Sequence, residues 1–294
     1  MKKKNSSKIR RSLGERAFQV FAHILLVFLA LICLYPFWYV LMASFSNASD
    51  LFRHTGLLLK PLKFTLDAYK VVLEEKLLFS GFANTFFYLA VGIPLSVFMT
   101  SLGAYFFSRK NLYFKNILFK YCLLTMYISG GMIAFYLNLK DLGLLGTRLG
   151  PILCSCVSVY NMIILRTAFA SIPDSLCDAA KMDGAGHISI LLKVVLPLAK
   201  ASIAVIGLYY GLSIWNAWFW HQMINRDQTR WPLQAVLRKL LIEDTSIAAD
   251  QAEPAFLETA RYAVIVVSTI PIIIIYPWIQ KYFQKGALVG AVKG

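Results

Sequence analysis

Three residues near position 210 combine aromatic and hydrogen-bonding side chains within an apolar stretch. Tyr210, Ser213 and Asn216 recur every third residue. Sugars are bound by this combination, because aromatic rings stack on their C–H faces while hydroxyls and amides bond to their OH groups. Asn84 and Tyr88, four residues apart in an earlier apolar stretch, form a second candidate set. Because a lipid-facing asparagine is costly, we expect both amides to point inward, toward a polar pathway.

The remaining chemically reactive residues do not form a recognisable catalytic or metal-binding motif. The four histidines fall in different segments, at positions 23, 54, 187 and 221. The cysteines at 154 and 156 have the wrong spacing for the usual zinc and redox motifs. The sequence contains no G-x-x-x-x-G-K-[ST] phosphate loop for ATP. We therefore expect a chain that is not an enzyme, binds no metal or cofactor itself, and depends on a partner for energy.

The composition indicates an integral membrane protein. Residues of the AVILMFWYC set make up 58% of the chain and charged residues only 15%, compared with about half and about a quarter in soluble domains. A formal net charge of +15 would suggest nucleic acid as the partner of a soluble protein. In a membrane protein the same charge indicates an excess of basic residues on the cytoplasmic side. We therefore expect lipid, and not nucleic acid, around this chain.

Six apolar stretches are long enough to cross a bilayer, so we predict an all-α polytopic membrane protein with six transmembrane helices. The predicted spans are about 17–44, 79–107, 114–137, 150–170, 198–220 and 260–283. Residues 1–16 are predicted to be a cytoplasmic segment, and residues 17–294 one transmembrane domain. The tryptophans at 218 and 220 are typical of the aromatic belt at the outer interface.

The distribution of charge predicts the orientation of the chain. The segments 1–16, 109–120, 166–200 and 281–294 together contain 18 basic and 4 acidic residues, and the rest of the chain contains 12 and 11. Cytoplasmic loops of membrane proteins carry such an excess of Lys and Arg. We therefore expect both termini, and the segment between the fourth and fifth spans, to lie in the cytoplasm. Near the end of the fourth span, Arg166 could extend to the headgroups or could face a pathway.

The cytoplasmic segment 171–197 carries signals for two short helices joined by a turn. Ser171 and Asp174 have capping-box spacing, which predicts a helix beginning near residue 172. Gly184 predicts the end of that helix, and a second helical run covers 188–196 before Pro197. Small residues around the turn would let a partner approach the backbone, while two larger apolar residues could fill pockets of that partner. An amphipathic helix on lipid headgroups is the alternative, but the segment has no aromatic residue.

This segment resembles the E-A-A-x-x-x-G-A…L-P loop of permease subunits of bacterial ATP-binding-cassette (ABC) importers. The matching runs are Asp178-Ala179-Ala180, Asp183-Gly184-Ala185 and Leu196-Pro197, with Asp178 where the family usually has Glu. Further matches to the second, maltose-permease-G-like subunit of carbohydrate importers extend over most of the chain. They are Asn84-Thr85, Ala104-Tyr105-Phe106-Phe107-Ser108-Arg109, Trp215-Asn216, Lys281-Tyr282-Phe283-Gln284-Lys285-Gly286 and Gly290-Ala291-Val292-Lys293-Gly294. Residues 130–136, GGMIAFY, resemble a subgroup linked to aldouronate, pectin-derived and other complex oligosaccharides.

The resemblance implies a type I ABC importer permease in the bacterial cell membrane. Residues 171–197 would be its coupling loop, seated in a cleft of a cytosolic ATPase subunit. The implied partners are a second homologous permease, two ABC ATPase subunits that bind ATP and Mg²⁺, an extracellular solute-binding protein and an oligosaccharide. The expected coupling residues are Leu176, Asp178, Ala179, Ala180, Met182, Asp183, Gly184 and Ala185.

Three other functions are compatible with a membrane protein of this size. An ion-coupled secondary transporter would normally need ionisable groups within its spans, and only His23 is available. A structural membrane scaffold would leave the helix-turn-helix segment without a role. An ABC importer permease for a solute other than a sugar would retain the coupling loop and change only the lining of the pathway.

Overall fold

The computed structural model describes residues 13–109, 113–243 and 254–291, and all regular structure within these ranges is helical. The all-α prediction is therefore confirmed. Three parts of the sequence-based expectations lie outside the described residues. They are positions 1–12 of the N-terminal segment, positions 110–112 after the second predicted span, and the last three residues of the C-terminal tail.

The described chain contains fifteen α-helices. In chain order they are α1 (Leu13–Ser44), α2 (Ala48–Arg53), α3 (Asp67–Glu74), α4 (Lys76–Ser108), α5 (Lys115–Leu124), α6 (Gly131–Asp141), α7 (Leu149–Cys154), α8 (Val159–Ala170), α9 (Asp174–Met182), α10 (His187–Ile190), α11 (Leu196–Leu198), α12 (Lys200–Trp215), α13 (Phe219–Ile224), α14 (Leu233–Arg238) and α15 (Pro254–Ala291). Single turns of other helix types lie at Leu191–Val195 and Lys239–Glu243, both π-helical, and at Gln228–Arg230, which is 3₁₀.

Three helices are long and apolar enough to cross a membrane. They include Ala17–Ser44 of α1, Lys76–Ser108, which is all of α4, and Phe256–Pro277 of α15. A fourth candidate is the pair His187–Leu198 and Lys200–Trp215, which is bent by 90°. This finding covers the described residues only, and the count of six spans stays a prediction.

Two predicted spans are interrupted by turns. The stretch 114–137 forms α5 and the beginning of α6, with a break at residues 125–130. The second helix begins at Gly131, whose φ of 83° lies in the left-handed region that favours glycine. The stretch 150–170 forms α7 and α8. There the Ser158 hydroxyl accepts a hydrogen bond from the Asn161 N–H at 3.3 Å and so begins a new helix. Average hydrophobicity did not reveal either break, because the residues of the turns are themselves largely apolar or small.

The chain divides into two compact units. The first contains residues up to 72 and residues 248–267. Its core is a small apolar cluster of Ala43, Leu51 and Leu58. Most of the α1 side chains that precede this cluster are exposed. An apolar helix left uncovered by its own chain is stable only against lipid or another protein.

The second unit, residues 73–247 and 268–294, is built around α4. This helix packs against α8, α12 and α14. Gly81 permits the close approach of α14, because a Cβ atom at this position would lie 3.2 Å from the Leu233 backbone. With 33 residues α4 is roughly 50 Å long at 1.5 Å per residue. One helix therefore connects the residues near position 84 with those near position 109.

Candidate transport and coupling sites

The predicted helix-turn-helix is present at residues 174–198. The first helix, α9, ends in a Schellman motif, in which the Ala185 N–H donates to Ala180 O and the Gly184 N–H donates to Lys181 O, both at 2.9 Å. Gly184 has φ of 79°, as its place in this motif requires. The stop signal at Gly184 is therefore confirmed.

The predicted capping box at the start of this helix is wrong. The Ser171 hydroxyl donates to Ala168 O at 2.7 Å, within the last turn of α8. Pro173 occupies the N-cap position, and α9 has no side-chain cap. Ser171 follows α8 directly, so the preceding helix engages its hydroxyl before the next one begins.

The second helical run is also confirmed, although its geometry is irregular. It comprises α10, the π-helical turn Leu191–Val195 and α11. Pro197 has no N–H to donate to the carbonyl one turn earlier, so a regular α-helical ladder cannot continue through this position. A widened turn next to proline is the usual structural response.

The eight expected coupling residues divide between an exposed surface and the packed side of the loop. Met182 is 89% exposed and Leu176 45% exposed. Ala180 and Ala185 are half-buried and pack against the apolar cluster beneath α9. The other four are exposed: Asp178, Ala179, Asp183 and Gly184. Six of the eight therefore form one surface accessible to a partner, which we call the α9 knob.

Two kinds of contact hold α9 against the rest of its unit. Cys177 is 2% exposed and belongs to the cluster that contains Phe169 and Ile190. Arg109, directly after α4, donates from Nη2 to Phe169 O at 3.0 Å and from Nη1 to the Cys177 sulfur at 3.2 Å. Its Nη1 also lies 3.6 Å from Asp174 Oδ1.

A cavity of about 550 Å³ lies beside these contacts. Its wall consists of apolar residues of α4 and of four charged residues, Arg109, Asp174, Asp178 and Lys181. Lys181 Nζ donates to Asp178 Oδ1 at 2.9 Å, and this hydrogen bond raises the pKa of the lysine. Asp178 is thus paired within its own helix by an exposed ion pair, which contributes little to stability.

Arg166 contacts neighbouring helices of its own chain. Its Nε donates to Phe107 O at 3.0 Å, and its guanidinium lies 4.3 Å from the centre of the Phe119 ring. The side chain therefore ties α8 to α4 and α5.

At the opposite end of α4, Asn84 is fully engaged by its own chain. The residue is 4% exposed. Its Nδ2 donates to Thr229 O at 2.6 Å and to Trp231 O at 3.0 Å, and its Oδ1 accepts from Arg148 Nη2 at 3.1 Å. The amide points inward, and its partners in this structure are a loop and Arg148.

Neighbouring residues of α4 bind the same loop. The Thr85 hydroxyl accepts from the Leu233 N–H at 2.8 Å, and the Tyr88 hydroxyl donates to Arg230 O at 3.0 Å. These bonds, together with those of Asn84, attach the backbone of 229–233 to α4. We call this arrangement the loop clamp.

The structure brings Tyr88 and Ser213 together at one small cavity. The cavity has a volume of about 70 Å³ and is also lined by Trp220 and His221. The Tyr88 ring packs edge-on against the His221 ring, with centroids 4.4 Å apart. Two of the five expected pathway residues therefore share a small opening, whose wall is otherwise largely apolar.

The other residues of the three-residue pattern lie elsewhere. Tyr210 is 3% exposed, and its hydroxyl accepts from the Ser158 N–H at 2.8 Å and lies 2.6 Å from Thr100 Oγ1. Asn216 is exposed and donates to Leu212 O at 2.8 Å. Residues three apart differ by about 300° around a helix, so two such steps turn Asn216 about 120° away from Tyr210. The spacing alone could not place all three on one face.

Three residues of these sites are not among the predicted ones: Arg109, Arg148 and His221. Arg109 ends the run 104–109 that resembles the permease family, and a basic residue directly after a span is itself a signal for a functional role. Nothing local indicates that Arg148 bonds to Asn84, 64 positions away. His221 was treated only as a histidine without a catalytic neighbour.

Comparison with known proteins decides the family. The profile of the family described as "Binding-protein-dependent transport system inner membrane component" matches residues 75–289. The chain belongs to this family. The expected resemblance to permease subunits of ABC importers is therefore confirmed, and the chain is a membrane protein.

Individual relatives of this permease cover nearly the whole chain. It is 37% identical over 285 residues to the polygalacturonan/rhamnogalacturonan transport system permease protein YtcP of Bacillus subtilis strain 168, covering 95% of this chain and 99% of that protein. It is 36% identical over 267 residues to the protein LplC of the same organism, covering 90% of each.

Among solved structures, the permease is similar to a chain in the crystal structure of a bacterial ABC transporter involved in the import of the acidic polysaccharide alginate. The TM-score is 0.85 and the identity 35%, over 94% of this chain and 100% of the other. A likeness of this extent shows a common fold for the two permeases.

Proposed function

We propose that this permease forms half of the membrane channel of an ATP-driven importer that moves an oligosaccharide into the cytoplasm by alternating access. A solute-binding protein delivers the sugar outside, and two cytosolic ATPase subunits supply the energy. A second homologous permease completes the channel. The α9 knob carries this proposal, because its exposed Met182 and Leu176 and its glycine-terminated turn form a surface suited to a protein cleft.

The family membership supports an importer over an ion-coupled transporter and over a structural scaffold. A binding-protein-dependent system requires a delivered solute and a source of energy other than an ion gradient. The exposed apolar surface of α1 supports a lipid environment and a second subunit. We place both termini and the α9 knob in the cytoplasm on the basis of the charge distribution.

An acidic oligosaccharide is the substrate class that the comparisons favour. One relative is a polygalacturonan/rhamnogalacturonan permease, and the similar structure comes from an alginate importer. Both polysaccharides contain carboxylates. In this chain, exposed arginines at 148 and 226 lie on the side of α4 that we place outside the cell. Basic residues there would attract an acidic sugar during delivery.

Reconstitution of the complete transporter tests the proposal. The permease, its partner permease, the two ATPase subunits and the binding protein would be placed in proteoliposomes, and uptake of trigalacturonate and of maltotriose would be measured. We expect uptake of trigalacturonate that requires ATP, the ATPase subunits and the binding protein. Equal uptake without the ATPase subunits would contradict the importer. Transport of maltotriose alone would contradict only the acidic substrate class.

A further inference from the structure

Arg109 occupies a junction between three helices of the second unit. It follows the last residue of α4, and its guanidinium contacts the end of α8 and the first turns of α9. Only 14% of the side chain is exposed. A nearly buried cation is retained where its donors are satisfied, because an unpaired charge in this environment is very costly.

The contacts of Arg109 match the electrostatics of the helix ends. The carbonyl of Phe169 belongs to the last turn of α8, which carries partial negative charge. Asp174, in the first turn of α9, lies 3.6 Å from the guanidinium. The Arg109 backbone N–H caps α4 by donating to Phe106 O at 3.4 Å, and its guanidinium lies 5.2 Å from the centre of the Tyr105 ring. Arg109 thus contacts α4 through its backbone N–H and through the Tyr105 ring. Its guanidinium contacts α8 and α9.

The geometry points to Arg109 as the positioning residue that links motion of the α9 knob to α4. This inference rests on the proposed function, since it requires the ATPase to act on α9. Apolar packing at Cys177 does not by itself set a specific orientation between the helices, because such contacts are non-directional. Hydrogen bonds from a planar guanidinium fix both distance and orientation. A displacement of α9 is therefore transmitted through Arg109 to α4, and does not depend on the apolar contacts alone.

Arg166 provides a matched control. It is also an arginine at the Ser108 end of α4, donates to a backbone carbonyl at 3.0 Å, and lies over an aromatic ring. Within the described residues, its side chain joins α8 with α4 and α5 and makes no hydrogen bond or ring contact with α9. Loss of Arg166 should therefore test the general stability of this end of α4 without cutting the link to the knob.

The experiment compares Arg109→Gln, Arg109→Lys and Arg166→Gln in the complete reconstituted transporter. ATP hydrolysis is measured with and without the binding protein, so no assumption about the sugar is needed. In Arg109→Gln we expect the stimulation of hydrolysis by the binding protein, relative to the rate of the same variant without it, to fall about fivefold or more. That is the lower range of coupling between distant sites. Arg109→Lys should recover part of the stimulation, because one ammonium keeps the charge without the fork of donors. Arg166→Gln should keep the wild-type stimulation.

A distance measurement makes the result independent of hydrolysis rates. Spin labels on non-natural amino acids replacing the exposed Phe98 in α4 and the exposed Ser175 in α9 would report their separation before and after trapping with vanadate. In the wild-type background the separation should be the same in both states, and in Arg109→Gln it should change and broaden.

Wild-type stimulation together with an unchanged separation in Arg109→Gln would overturn this inference alone. If Arg166→Gln lost stimulation as strongly as Arg109→Gln, the effect would be general destabilisation and the inference would also fail. The proposed function fails by a different result, namely a complete transporter whose ATPase subunits do not contact the α9 knob.

Discussion

The two ends of α4 are attached to their surroundings by different chemistry. At the Lys76 end, the loop clamp uses Asn84, Thr85 and Tyr88 to bind the backbone of 229–233 through neutral hydrogen bonds. At the Ser108 end, the charged side chain of Arg109 contacts both α8 and α9 directly after α4. Several neutral bonds hold one loop in a fixed register, whereas one charged side chain connects helices that can move together. The difference suggests a static attachment at one end and a mechanical link at the other.

The same comparison extends to two glycine turns. Gly143 ends α6 in a Schellman motif with bonds from Gly143 N–H to Lys140 O and from Leu144 N–H to Leu139 O, and Gly184 ends α9 in the same way. Their φ angles are 68° and 79°, and neither has an atom within 4 Å of the position of a Cβ. The two turns are therefore similar in backbone strain, and we propose a partner, the ATPase subunit, only for the turn at Gly184.

The largest effect is expected from Gly184→Leu. In either turn a leucine in the left-handed region costs about 1–2 kcal/mol. Gly184→Leu should in addition block the docking of the ATPase and reduce ATP-dependent uptake by about tenfold or more, the equivalent of about 1.4 kcal/mol or more of lost coupling. Gly143→Leu is the control, and uptake there should stay within about twofold of wild type. Equal losses in both variants would show that strain, and not docking, limits transport.

Asn84→Leu should have the next largest effect, on stability and not on affinity. The change leaves Thr229 O, Trp231 O and the Arg148 guanidinium without this partner, and each unsatisfied buried group costs about 1–3 kcal/mol. We expect a lower midpoint of thermal unfolding in detergent, and an unchanged KM for uptake at a temperature where the variant is folded. A raised KM with an unchanged midpoint would instead place Asn84 in the sugar pathway.

Ser213→Leu tests the small cavity at the same end of α4. A leucine side chain would fill the cavity of about 70 Å³, so a sugar hydroxyl or carboxylate could no longer enter it. We expect the KM for uptake to rise by about threefold to tenfold, because one hydrogen bond to the sugar, worth about 0.5–1.5 kcal/mol, is lost. Stimulation of ATP hydrolysis by the binding protein should not change. Ser213→Ala, which leaves the volume open, should have a smaller effect. An unchanged KM in both variants would remove this cavity from the pathway.

Asp178→Glu should have the smallest effect. The carboxylate is exposed and its partner Lys181 can follow a longer side chain within the same helix. We expect uptake and ATPase association to change by less than about twofold. Surface substitutions usually change the free energy of unfolding by no more than about 0.5 kcal/mol. A large gain in ATPase association would show that the shorter aspartate weakens docking in this chain.

The features that depend on local signals could be predicted from the sequence. The helical class follows from apolar composition, and the turn at Gly184 follows from glycine after a helical run. The two interrupted spans were missed because hydrophobicity is nearly constant across their breaks. The capping-box prediction was wrong because the Ser171 hydroxyl donates to a carbonyl of the preceding helix.

Residues whose role depends on distant contacts were the least predictable. The two carbonyls that bind the Asn84 amide lie 145 and 147 positions away in the chain. Arg109 reaches residues 60 and 68 positions away. A single sequence identifies a polar residue within an apolar stretch, but it does not indicate whether a loop or a substrate satisfies it.

The most direct test of the α9 knob is a photo-cross-linking comparison in the complete transporter. A photoreactive amino acid would replace Met182, which is 89% exposed, and in a separate variant Leu142, which is 63% exposed at the opposite Schellman turn. Position 182 should cross-link to the ATPase subunit and position 142 should not. Cross-linking of the ATPase at position 142, or its absence at position 182 in a transporter that still hydrolyses ATP, would contradict the account.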